Sequence, residues 1–357
     1  MRWAALLLLA ACNTGLQPAT KADDDTDVTT PIDSEPDTSG TWETDAPPTD
    51  RDGDGVPDDD DLCPDVADDQ ADLDGDRVGD ACDPDRDGDQ VPDEVDRWPD
   101  DGTFPALASG ERIYPHTATH LYVLQLAGGT ERIDEIGRFT YDVPVPATRN
   151  AHEMTDMAID RAGLLYGITF DEVFVCHPGT AACRRIGRLP ASSNGLTFVP
   201  QASGDALVGM GEDRWFELDL SSSVVITRPR GTFEPGCSGT CAKASGDAFS
   251  IEGVGTFATV YGYQGYTLRD QLVELDPATG AITREILRFV GARNDSGSGA
   301  FQDVWGLAGW TDGYFYGFVE TGEVLKIDVA AGRFSVLFQT GLPWWGAGVR
   351  TIVPPAP

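Results

Sequence analysis

Basic side chains are scarce in this chain: 25 lysines and arginines stand against 60 aspartates and glutamates, for a formal net charge of −35. A polyanion of this kind is repelled by phosphate backbones, which excludes a nucleic-acid partner. Acidic substrates and anionic membrane surfaces are disfavoured for the same reason. Histidine is rarer still, with His116, His120, His152 and His177 the 4 in the chain. No GxSxG, HExxH or phosphate loop occurs. The Gly/Ser-rich stretch Asn294–Gly299 lacks the lysine and the following helix that a phosphate site needs. No CxxC pair is present, which argues against zinc. The apolar run Ala4–Ala11 is too short to span a bilayer as a helix. What is present is enough apolar material, 40% of the 357 residues, for a globular core and one to three domains. The charge is uneven. Residues 1–101 hold 32 acids and 6 bases, net −26, and residues 102–357 are net −9. The natural partner of such a charge is a metal cation.

The short start Met1-Arg2-Trp3, the run Leu6–Leu9 and the small residues before Cys12 read as a signal peptide over residues 1–11. Leu9-Ala10-Ala11-Cys12 resembles the bacterial lipobox. That resemblance implies removal of the leader and lipidation of Cys12. With Asn13 following, it points to the outer membrane or cell surface. Acyl chains contribute about 0.8 kcal/mol per buried CH₂, so several chains on one residue anchor stably. Of the 7 cysteines, Cys12 apart, six remain as three sequence-local pairs: Cys63 and Cys82, Cys176 and Cys183, Cys237 and Cys241. Three disulfides in an oxidising compartment account for them. His177 beside Cys176 hints at a thiol nucleophile, but a disulfide to Cys183 explains that cysteine better. Residues 12–49 are rich in Thr, Asp, Pro, Ser and Ala, with few large apolar side chains, and read as an extended tether.

From Asp50 to Asp96 the chain carries 21 acids and 3 arginines in 47 residues, too little apolar surface for a core. The acids keep a register. Asp50, Asp52, Asp54, Asp58 and Asp61 occupy loop positions 1, 3, 5, 9 and 12. Asp72, Asp74, Asp76, Asp80 and Asp83 repeat the pattern, and Asp85, Asp87, Asp89, Asp93 and Asp96 repeat it again. Position 7 is Val56, Val78 or Val91. This is the ligand arithmetic of a calcium loop: alternate carboxylates turn to one centre, position 7 offers a backbone carbonyl, and positions 9 and 12 close the shell. Gly55 supplies the turn at position 6. Arg77 and Gln90 stand there in the other loops, so those loops are expected to turn differently or bind more weakly. Proline inside the loops and the absence of flanking amphipathic helices exclude a helical hand.

The DxDxDG run, Cys63-Pro64, Gln70-x-Asp72-x-Asp74-x-Asp76 and Gly79-Asp80-Ala81-Cys82-Asp83 together resemble the thrombospondin type 3 repeat over residues 50–96. The resemblance implies a chain wrapped around a string of Ca²⁺ ions, about three or more, with Cys63 bonded to Cys82. A cross-link over such a loop contributes roughly 3 kcal/mol. Charges this dense repel one another, so calcium binding and folding of residues 50–101 are expected to be one event.

Residues 102–357 read as β structure, with short alternating runs between turn residues. An apolar residue followed by Tyr-Gly recurs at Leu165-Tyr166-Gly167, Val260-Tyr261-Gly262 and Phe315-Tyr316-Gly317, with Leu207-Val208-Gly209 a weaker copy. Hairpins follow at Val173–Ile186, Trp215–Thr227, Gln271–Ile286 and Glu323–Leu337, and a fifth lies at Leu121–Ile136. Four strands per unit at roughly 40–60-residue spacing is the pattern of a β-propeller of about five blades. The first hairpin lacks an inner strand, which the stretch from Gly346 to Pro354 can supply, closing the ring. The runner-up is an irregular β-sandwich. Cys176–Cys183 then staples a hairpin, and Cys237–Cys241 a loop before blade four.

Aligned inner-strand starts fall at Asp156, Asn194, Asp247 and Trp305, which could converge on the channel to hold an ion or a sugar; strand-start chemistry favours Asp and Asn in any case. Trp305, Trp310, Trp344, Trp345 and the Tyr261–Tyr266 group either stack on sugars or fill space between blades. An enzyme would need an acid/base pair, and His152, Glu153 and Asp156 offer one. The expectation is a non-enzymatic, calcium-binding, lipid-anchored protein of the cell envelope. Its calcium-stiffened stalk would present a propeller for adhesion or for a surface-protein or glycan ligand. The alternative is a propeller-fold extracellular hydrolase or lyase acting on glycans.

Overall fold

The computed structural model describes residues 49–126, 131–144, 152–190, 192–202, 204–222, 224–265, 270–293, 297–300, 303–310 and 313–352. The expected signal peptide, Cys12 and the tether up to residue 48 lie outside the described residues, as do Asn294, Asp295 and Ser296. No helix among the described residues is long and apolar enough to cross a membrane.

Residues 49–111 hold no strand and run as successive turns and bends. Strands then follow in regular antiparallel groups. Blade one opens with β1 (Arg112–Thr117), β2 (His120–Gln125) and β3 (Arg132–Arg138). A short β4 (Thr140–Tyr141) lies parallel on the outer edge of blade two. That blade is β5 (Asp156–Ile159), β6 (Leu165–Ile168), β7 (Glu172–Cys176) and β8 (Ala182–Arg188). Blade three is β9 (Gly195–Gln201), β10 (Gly204–Gly211), β11 (Arg214–Asp219) and β12 (Ile226–Thr232). Blade four is β13 (Lys243–Ile251), β14 (Gly255–Tyr261), β15 (Gln271–Leu275) and β16 (Ile282–Arg288). A separate hairpin, β17 (Val290–Arg293) with β18 (Gly297–Ala300), leads into blade five. Blade five is β19 (Val304–Gly309), β20 (Tyr314–Val319), β21 (Glu323–Asp328) and β22 (Arg333–Gln339). The last strand, β23 (Trp344–Gly348), returns to pair with β1 as the inner strand of blade one. The inner strands β5, β9, β13, β19 and β23 neighbour one another in a closed cycle. The chain is therefore a five-bladed β-propeller preceded by an acidic, strandless segment; the sandwich alternative is not adopted.

Two details differ from the sequence reading. Blade one has a second strand that the Tyr-Gly pattern did not reveal: Pro115 pairs with Ala347, so Ile113-Tyr114-Pro115 fills the place of Leu165-Tyr166-Gly167. Proline is tolerated where no ladder hydrogen bond is demanded of its missing N–H. In blade four the equivalent of Tyr166-Gly167 is Phe257-Ala258, because Ala258 pairs with Ala248 as Gly167 pairs with Met157. Val260-Tyr261-Gly262 lies beyond it, and Tyr261 is the final residue of β14.

The core lies between blades. Large side chains fill the wedges: Phe174 between blades one and two, Phe198 between two and three, Trp215 between three and four, and Phe315 between four and five. Trp344 is fully buried and edge-on to Tyr122 at 5.1 Å. It is a spacer between blades. Cys176–Cys183 staples directly opposite residues of β7 and β8, and Cys237–Cys241 closes the loop before blade four.

Candidate functional site

The acidic segment repeats one hydrogen-bonded design three times. The carboxylates of Asp50, Asp52 and Asp54 bring one oxygen each within 4.8 Å of one another, as do those of Asp72, Asp74 and Asp76 and of Asp85, Asp87 and Asp89. The second oxygen of position 1 accepts the N–H of position 6 from Gly55, Arg77 and Gln90. Position 5 accepts the N–H of Val56, Val78 and Val91. One oxygen of position 9 accepts the N–H of Arg51, Leu73 and Arg86. Position 12 accepts the N–H two residues on, at Cys63, Asp85 and Trp98. Arg77 and Gln90 adopt φ of 78° and 76°, beside 98° for Gly55. All three loops therefore turn alike, so the different turn expected as one outcome for loops two and three is not found, and the two non-glycine residues bear a strain of about 1 kcal/mol each.

These bonds leave orphans. Asp52 Oδ2, Asp61 Oδ2, Asp68 Oδ2, Asp85 Oδ1, Asp89 Oδ2 and Asp96 Oδ2 are buried with no donor. Desolvation by burial raises Asp85, Asp89 and Asp96 above the ordinary carboxylate range, Asp89 to about 6, with neighbouring carboxylates adding to it. Donorless buried carboxylate oxygens are costly, and a hard divalent cation taking roughly six to eight oxygens is the group that satisfies them. The residues thus fit calcium.

One cluster escaped the 1-3-5-9-12 register. Asp54, Asp61 and Asp68 also converge within 4.8 Å. The Gln70 amide bridges them, donating to Asp61 Oδ1 at 2.8 Å and Asp68 Oδ1 at 3.0 Å. The alternate spacing Asp68-x-Gln70-x-Asp72 was the available signal. Cys63–Cys82 ties the segment together, with Cα atoms 5.8 Å apart and Cys63 buried.

The segment ends on the propeller. Asp87 Oδ2 of the third loop accepts the N–H of Asp101 at 2.7 Å. Asp101 also takes the Thr103 hydroxyl and pairs with Arg184 of β8; these hold its carboxyl down at about 2. Arg184 lies over the Phe104 ring at 4.2 Å, and Phe104 is buried in the wedge between blades two and three, edge-on to Trp98 at 4.8 Å. Arg97 donates to the Leu220 carbonyl at 2.6 Å.

At the propeller axis, strand pairing sorts the sequence-predicted residues into two layers. Asp156 and Asp247 share one layer with Gly195, Gly306 and Gly346. Asn194 and Trp305 stand one residue earlier, level with Thr155, Gly246 and Trp345. The deeper layer is sealed, and both aspartates are fully buried. Asp156 accepts N–H groups from Met157 and, across blades, Leu196 at 2.6 Å. Asp247 accepts from Leu307 at 2.8 Å and Ala347 at 3.1 Å, in blades five and one. Two carboxyls thereby pin inner strands of all five blades. Burial pushes both acids well above the ordinary carboxylate range, and the charge of Asp247 pushes Asp156 further. Burial and mutual repulsion thus favour the protonated form of the pair. Glycine is required here: a Cβ on Gly346 would fall 2.3 Å from Asp156 Oδ1 and 2.4 Å from His116 Nε2. Through that gap His116 Nε2 faces Asp156 Oδ1 at 3.8 Å, while its Nδ1–H donates to the Thr117 carbonyl at 3.0 Å. Burial lowers His116 to about 4, so the imidazole is neutral. His152 faces Glu172 at 3.3 Å.

The upper layer is open. Thr155, Asn194, Gly246, Trp305 and Trp345, one residue from each blade, form a cup completed by Phe170, Ala244, Ser245 and Tyr261, with a cavity of about 350 Å³. Trp305 and Trp345 stand edge-on at 5.9 Å and 82°, and Phe170 is edge-on to Trp345 at 6.5 Å. The Ser245 hydroxyl donates to Asp270 Oδ2 at 2.6 Å; the same oxygen takes the Val304 N–H, and burial raises Asp270 to about 6. Phe170, in the turn after β6, carried no signal in the sequence pattern.

Convergent carboxylate loops docked on a five-bladed propeller define the class of this molecule. Residues 71–102 match the family model of the thrombospondin type 3 repeat. No curated protein matches the chain. Among solved structures, a crystal structure of a protein from Lactobacillus plantarum aligns over 68% of this chain and 72% of that one, at 14% identity and a TM-score of 0.34.

Proposed function

We propose that the protein is a calcium-loaded, non-enzymatic binding protein of the cell envelope, anchored through a lipid on Cys12. Its repeat segment is a calcium-stiffened stalk, and its axial cup is the ligand site through which it adheres. The observation that carries the calcium reading is the set of six orphaned carboxylate oxygens. The ligands are Asp50, Asp52, Asp54, Asp58 and Asp61 with the Val56 carbonyl, their counterparts in the other two loops, and Asp68. The reading of the cup as a binding site rests on its being an open, largely apolar concavity at the axis, the form ligand sites take. An enzymatic role would require an acid/base pair at the cup, whereas Asp156 and Asp247 lie beneath it, tied to backbone N–H groups. Titration calorimetry with calcium on the full chain, paired with elemental analysis, tests the stalk: three or more ions per chain are expected, and no stoichiometric uptake would overturn it. Localisation is tested by metabolic labelling with a fatty acid, where Cys12→Ala should abolish incorporation.

A further inference from the structure

The five blades do not contribute equally to the cup. Trp305, Trp345 and Phe170 come from blades five, one and two, which are consecutive around the ring, so the aromatic rings form one continuous arc. Asn194, Ser245 and Tyr261 come from blades three and four and face that arc across the axis. Asn194 is exposed, and its amide both donates and accepts. Among the described residues, no Asp, Glu, Lys, Arg or His lines the cavity. A charged ligand would therefore give up water with no counter-charge to receive it.

We infer that the cup binds a neutral pyranose residue of a glycan, an inference that rests on the reading of the cup as the ligand site. A pyranose has an apolar C–H face and a hydroxyl edge, and the cup has one wall for each. The sugar face lies on Trp305 or Trp345, and the hydroxyls reach Asn194 and the Tyr261 hydroxyl. The chain's net charge of −35 selects against uronic and sialic acids. A small quaternary ammonium head would suit the aromatic arc alone. It would leave much of the 350 Å³ cavity and the polar wall unmatched.

The test uses the full calcium-loaded chain, titrated with maltopentaose, cellopentaose, chitopentaose and xylopentaose, and separately with choline chloride. Tryptophan fluorescence and saturation-transfer NMR report binding. At least one neutral oligosaccharide should bind saturably. Trp305→Ala and Trp345→Ala should each weaken it about tenfold or more, and Asn194→Ala by a similar factor. Trp345→Phe should retain part of the affinity and serves as the variant least disruptive to folding, with circular dichroism as the check. Binding of choline with no sugar bound would overturn the sugar inference and leave the cup as the ligand site. Sugar binding indifferent to both tryptophan variants and to Asn194→Ala would overturn the cup reading as well. No response to any oligosaccharide at millimolar concentration sinks the sugar inference.

Discussion

At the residue scale, two kinds of side chain are held where their chemistry is expensive. Arg77 and Gln90 sit in the left-handed region that glycine adopts without strain. Arg77→Gly and Gln90→Gly should each raise the stability of the calcium-loaded chain by up to about 1 kcal/mol, read from the melting of the repeat segment. The axial acids are the second case. Their folded pKa lies above the unfolded value, so their contribution is complete below about pH 4 and is lost as pH rises through the folded value. His116 has the opposite sign: its contribution is present above about pH 6.5 and is lost as pH falls towards its folded value of about 4. Asp247→Asn keeps an acceptor for Leu307 and Ala347 and a donor towards Asp156. It should match the parent in acid and exceed it at neutral pH in calcium-saturated calorimetric melts. An unchanged difference across pH would count against a shared proton. Asp247→Leu strands two buried N–H groups at a cost of about 1–3 kcal/mol each.

At the element scale, the loops were readable because their ligands lie within twelve residues of one another and their spacing is their geometry. Outer hairpins were readable for the same reason, being local. The second strand of blade one was hidden because Pro115 stands where its counterparts have glycine or alanine. The cup was legible only in part: Asn194, Tyr261, Trp305 and Trp345 stand out in the sequence, whereas Thr155, Phe170 and Ser245 do not, because the cup draws its residues from five distant blades. The sequence pattern places Asn194 and Trp305 level with Asp156, whereas strand pairing sets them one residue earlier, in a layer that differs completely in access to water. The pairing of His116 with Asp156 depends on the missing side chain of Gly346, which no linear pattern announces. The third loop and the docking segment are one hydrogen-bonded unit through Asp87 and Asp101. Chelation should therefore release Trp98 and Arg97 as well as the loops. Hydrogen exchange should accelerate over residues 50–101 and stay slow in the blades. Uniform slow exchange with and without chelator would contradict this coupling. Phe104→Ala should cost about 3–5 kcal/mol, since it removes a buried ring from the wedge between blades two and three.

At the scale of the whole molecule, the repeat segment and the propeller use different sources of cohesion. The propeller buries aromatic wedges, and the repeat segment has almost no apolar interior and is organised by convergent carboxylates. The two should fail separately, chelator dissolving one and heat the other. The ring itself has a single seam, between β23 and β1. A chain stopped after Pro343 lacks Trp344 and the inner strand of blade one. It should associate in light scattering at temperatures where the parent stays monodisperse. That seam also sets an order of events as the chain folds. Until β23 is seated, the polypeptide carries one open strand edge and an unfilled tryptophan socket, however well its earlier parts have condensed. Chaperone engagement should therefore persist until Trp344–Gly348 has paired with β1.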